Sequence, residues 1–164
     1  MFNTVEEMVK YGFDGFISIQ ELIRTSCSQV PRRSGVYLVL NTKKGAPEFL
    51  EESVGGHFKG KNPTVPVEAL SANWVPDTAV LYIGKAGGDD SSATLQSRLR
   101  QYMQFGQGRP IGHWGGRFIW QLKNNRELVV CWKQINENPR NVEIALLREF
   151  ITEYSRLPFA NLKE

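Results

Sequence analysis

Two short apolar runs limit this chain more than any other feature: Gly35-Val36-Tyr37-Leu38-Val39-Leu40 and residues 79–84, which hold Val80-Leu81-Tyr82-Ile83-Gly84. Both are rich in branched and aromatic residues and read as buried strands. Between them, residues 41–78 hold Gly45, Pro47, Gly55, Gly56, Gly60, Pro63, Pro66 and Pro76. Breakers that dense argue against long regular elements.

The rest of the chain supplies helices and one more strand. In residues 91–104, Leu95, Leu99 and Tyr102 recur at i, i+4 and i+7, a helical period. Arg98 lies on the same side as Tyr102. Gly106 and Gly108 stop this helix, and His113-Trp114-Gly115-Gly116 reads as a turn. Residues 117–122 fit a short helix or a strand. Residues 127–135 read as a strand, because Leu128, Val129, Val130 and Trp132 are strand formers. Asn141 is positioned to cap a last helix over 142–154, with Ile144, Leu147, Ile151 and Tyr154 inward, and Pro158 breaks the chain after it. Residues 1–33 read as a helical appendage, with Val5, Met8 and Val9 at helical spacing. There Ser18-Ile19-Gln20-Glu21 has the pattern of a capping box. This order predicts an α+β fold: a small central antiparallel or mixed three-stranded sheet flanked by helices, with residues 34–164 as the main domain.

At 164 residues, with 41% hydrophobic and 23% charged residues, the chain suits one ordinary core. It has no apolar run of membrane-spanning length and no secretion-type N-terminus. Cys27 and Cys131 lack metal-type spacing and fit a reduced, cytoplasmic protein. A net charge of +3 permits contact with nucleic acid without requiring it. Gly84-Lys85-Ala86-Gly87-Gly88 lacks the spacing and the Ser or Thr of a P-loop, which argues against an NTPase.

Tyr37 and Tyr82, in their two segments, are followed in order by Arg98, Glu149 and Asn161. This series resembles the GIY-YIG nucleases, although here the first motif is Gly-Val-Tyr and the two tyrosines stand 45 positions apart, so that residues 41–78 form an insertion. The resemblance covers residues 34–161. It implies a metal-dependent endonuclease that hydrolyses phosphodiester bonds in DNA, duplex or branched. With one active site per chain, a double-strand break would take a homodimer or two nicks; an unidentified protein partner is also compatible. Two rivals are a catalytically inactive nucleic-acid-binding module and a partner-binding module on the same fold.

The resemblance assigns Glu149 as ligand of Mg²⁺ or Mn²⁺, a hard cation that takes one or two carboxylates and keeps most of its waters. Glu143, on the same helix, is the second choice. Arg98 becomes the phosphate clamp, since a guanidinium holds its charge and donates in pairs. Tyr37 and Tyr82 become the hydroxyls that orient or activate water, their order left open. Lys85 would lower a tyrosine pKa or bind phosphate. Tyr102 matches a position near the phosphate, and Asn161 is expected to brace the Glu149 helix. His57-Phe58-Lys59-Gly60-Lys61 in the insertion is a basic, aromatic cluster suited to nucleic acid. Arg100 and His113 are further candidates for that contact, with both His57 and His113 read as loop or surface residues.

Overall fold

The computed structural model describes all 164 residues. Its centre is a strand that no solvent reaches: β2 (Gly35–Leu40) is buried at every position, as its unbroken apolar run requires. It pairs antiparallel with β3 (Val80–Ala86) on one side and β4 (Val129–Gln134) on the other. Beyond β4 lies β1 (Asp14–Ser18), so the sheet has four antiparallel strands in the order β1-β4-β2-β3. The expected three-stranded sheet is therefore one strand short.

The extra strand comes from the segment read as purely helical. Asp14 to Ser18 follows the positive-φ Gly12 and is irregular itself, with a register shift between Gly15 and Ile17 and Phe16 at φ 56. An irregular edge strand carries little alternation, which is why its pattern escapes a reading by period. The flanking helices are as expected: α1 (Val5–Lys10) and α2 (Ile19–Arg24), the second capped by the Ser18 hydroxyl, which accepts from the Glu21 N–H. Half of the capping box forms; the Glu21 carboxylate turns instead to Arg24.

Alternation along β2 divides the core into two layers. Val36, Leu38 and Leu40 face the layer built on α5 (Pro139–Tyr154), with Met8, Leu147 and Phe150. Tyr37 and Val39 face the other layer, with Leu22 of α2, with Leu95, Leu99 and Tyr102 of α4 (Leu95–Gly106), and with Trp120. Residues 114–121 form a 3₁₀ helix, which is the short-helix alternative for 117–122 and extends back into the expected turn at 113–116. The N-cap of α5 is Asn138, followed by Pro139, not Asn141. Proline at the first helical position brings its own preset φ, so the helix starts three residues early. No helix is long and apolar enough to cross a membrane. Cys27 and Cys131 are buried free thiols.

The insertion has one regular helix of its own, α3 (Val67–Asn73). It is fastened by the buried Gln121 side chain, which donates to the carbonyls of Leu50 and Val65 and accepts from the Val65 N–H. Phe49 and Trp74 then pack on Phe159 near the chain's end.

The free edge of β3 is covered locally by Asn161. Its amide donates to the Ile83 carbonyl and accepts from the Ile83 N–H, both at 2.9 Å. Asn161 thus braces β3, not the helix of Glu149 as expected. Asn161→Ala leaves both Ile83 groups without that partner. It should cost about 1–3 kcal/mol, read as a fall of roughly 2–4 °C in Tm per kcal/mol in a thermal melt.

Candidate functional site

Cross-strand register places the two tyrosines together. Tyr37 lies opposite Gly84, and Val39 lies opposite Tyr82, so both tyrosines fall on one face of the sheet. Gly84 makes this possible: a Cβ there would stand 2.5 Å from the Tyr37 ring. The ring centroids of Tyr37 and Tyr82 are 6.0 Å apart.

These residues form the floor of a cleft of about 740 Å³, with Lys85 beside them, Arg98 from α4 and Glu143 from α5. Its remaining wall is polar, with Ser91, Thr94, Ser97 and Gln101. The Thr94 hydroxyl and Ser97 cap the start of α4, fixing the turn from which Arg98 rises. Arg98 is half-buried, and its Nη1 donates to the Gly112 carbonyl at 3.2 Å. Lys85 Nζ donates to the Gly87 carbonyl at 3.3 Å.

Glu143, not Glu149, is the carboxylate in this cleft. Glu149 is exposed and outside the lining. Helical phase explains the difference: Leu146, Leu147 and Phe150 stand at i+3, i+4 and i+7 from Glu143, so Glu143 shares their inward stripe. Glu149 points well away from that stripe. Burial raises the Glu143 carboxyl above its ordinary value, while Lys85, Arg140 and Arg98 pull it back down.

His113 lies in the loop after α4, as expected, but not at the surface. It is fully buried, its ring stacks on Tyr102 at 3.8 Å, and its Nε2 is 3.0 Å from the Tyr37 hydroxyl. Its Nδ1 has no partner. Nothing in its sequence neighbourhood announced this; the loop after α4 folds back to deliver it. Burial holds its pKa well below 6.5, and the Arg98 charge acts in the same direction, so the ring is neutral.

Tyr102 does not present its hydroxyl to the cleft. It donates to the Gly116 carbonyl at 2.7 Å and thereby holds the loop that carries His113. Tyr37 and Tyr82 are raised by burial first; for Tyr82 the nearby Arg98 opposes this, and the Tyr37 hydroxyl acts in the same direction as Arg98.

The nucleic-acid candidates divide. Arg100 turns away from the cleft and donates to the Ser26 carbonyl at 3.2 Å. His57, Lys59 and Lys61 are exposed on the insertion. Compared with models of known protein families, with curated proteins and with solved structures, the chain matches none of them.

The neutral, buried His113 has a consequence for stability. The unfolded chain gains a proton near pH 6.5 that the folded chain refuses. The stability that this supplies is present above that pH and is lost as pH falls toward the folded value. The slope is about 1.4 kcal/mol per pH unit. His113→Phe should therefore be less stable than the parent at neutral pH, with the gap narrowing as pH drops below about 6.5. Urea melts of both proteins across that range check it, and the opposite titration of Glu143 is common to the two.

Proposed function

We propose that this chain is a metal-dependent endonuclease of the GIY-YIG type, acting on phosphodiester bonds in DNA. The observation that carries this reading is the convergence of Tyr37, Tyr82, Lys85, Arg98 and Glu143 on one polar cleft, from four separate elements. Residues that far apart in sequence have no packing reason to bring two cations and a carboxylate together beside two tyrosines.

The donor set fits Mg²⁺ or Mn²⁺. No group of three or more His, Cys, Asp and Glu side chains gathers anywhere in the chain, but Mg²⁺ needs only one or two carboxylates and completes its shell with water and phosphate oxygens. Glu143 would hold it. When bound, the cation would supply Lewis-acid polarisation of the phosphate and stabilise developing charge.

The chain's own groups do the rest. Arg98, which lines the cleft, stabilises the charge that grows on the non-bridging oxygens by donating hydrogen bonds to them. Lys85 provides a second positive centre that needs only to release the Gly87 carbonyl. Tyr82 is the hydroxyl that orients the attacking water, because Tyr37 is more deeply buried and its hydroxyl is engaged by His113. Tyr37 and neutral His113 hold Tyr82 in place and give its proton a neighbouring acceptor.

The test compares two carboxylates on one helix. Glu143→Gln should abolish Mg²⁺-dependent nicking of supercoiled plasmid, and Glu149→Gln should keep it. Arg98→Ala should lower the cutting rate by about 10²–10³. Parent protein that binds DNA but never cuts would favour an inactive binding module; loss of cutting in Glu149→Gln alone would move the metal to the exposed side of α5.

A further inference from the structure

The insertion carries a charged surface that the cleft does not use. Residues 53–67 contain no Asp or Glu, and neither do residues 91–126. The first stretch contributes Lys59 and Lys61; the second contributes Arg98, Arg109 and Arg117 among others.

The fold sets these two acid-free stretches against each other. The Gly56 N–H donates to the Phe105 carbonyl at 2.9 Å. A Cβ at Gly56 would fall 1.8 Å from the Arg109 carbonyl, so only glycine permits this approach. Two residues on, the Phe58 ring lies against Gly112, 3.3 Å from where a Cβ would stand. Gly112 is the residue whose carbonyl accepts from Arg98. The tip of the insertion is therefore two contacts away from the arginine of the cleft.

Its cations have no acidic partners, although Lys59 Nζ stands 5.3 Å from the centre of the Phe58 ring. Lys59, Lys61 and Arg109 are exposed, and none of them takes part in an ion pair, whereas Lys43 and Lys123 are matched by Glu127 and Glu48. Phe58 is half-buried and serves as the anchor that seats the turn, rather than as a platform for bases.

We propose that the insertion tip, Lys59 and Lys61 together with Arg109, is a docking surface for the phosphodiester backbone of duplex DNA flanking the bond held in the cleft. This rests on the nuclease reading of the cleft. A duplex carries about one negative charge per 1.7 Å of its axis, and these two stretches present it no carboxylate of their own. Lysines on such a surface fix where the duplex lies without reading its sequence. The insertion thus supplies grip to a catalytic cleft that contains few cations of its own.

The test is salt-dependent binding of a labelled duplex by the full chain in EDTA, followed by fluorescence anisotropy between about 50 and 200 mM salt. In the double variant Lys59→Ala/Lys61→Ala, the slope of log affinity against log salt should shrink by about 0.9 for each lysine removed. The control Lys44→Ala/Arg126→Ala, on the depression formed by residues 41–50 and 122–127, should keep the parent slope. A parent slope retained in the tip variant, or an equal loss in the control, overturns the docking surface while the parent's binding leaves the nuclease reading standing. A parent whose affinity does not respond to salt removes both.

Discussion

The Tyr37 ring lying over Gly84 is the contact on which the site depends. Antiparallel pairing fixes which residues face each other, and a slip of one position would send every side chain to the opposite layer. A side chain at position 84 would collide with the ring, so the ring and the glycine define one register between β2 and β3. That register puts Tyr82 on the same face as Tyr37 and lets Arg98 from α4 meet both. The same ring carries its hydroxyl to His113, whose stacking on Tyr102 ties the loop after α4 into the core. One cross-strand pair therefore organises a strand pair, a helix and a loop.

Position within the sheet explains how both faces serve one cleft. β3 is an edge strand, and residues beyond its end are not buried between layers. Arg98 approaches from the α4 layer and Glu143 from the α5 layer; in the middle of the sheet, β2 would separate them. An exposed edge invites pairing with other chains. Asn161 closes that edge at Ile83 without a further strand, which leaves the end near Lys85 and Gly87 open for a ligand.

Much of this was legible in the sequence, and the misses have physical causes. Strands at Gly35–Leu40 and Val80–Ala86 are apolar throughout and stood out. So did the side of α4 that carries Arg98, because Leu95, Leu99 and Tyr102 marked its phase. β1 did not, since a glycine, a positive-φ phenylalanine and a register shift erase any alternation. Glu149 came from the resemblance rather than from helical phase; phase alone sets Glu143 with Leu146, Leu147 and Phe150 and brings that carboxylate to the cleft. His113 was beyond reach, because its burial follows from long-range loop placement and leaves no periodic trace.

Charge within the cleft has a direction. Glu143 is faced by Lys85, Arg98 and Arg140, so the carboxylate is outnumbered before anything binds. Burial pushes Glu143 toward its neutral form, and those cations oppose that shift in part. Equally, Glu143 limits the mutual repulsion of Lys85 and Arg98. The balance is incomplete, and a site with surplus positive charge in a partly dehydrated wall favours an anionic ligand over a neutral one. Tyr37, Tyr82 and His113 add no charge to this sum, because burial keeps all three neutral. They act through their positions and hydrogen bonds, and the polarity of the cleft is set by one carboxylate and the cations arranged around it.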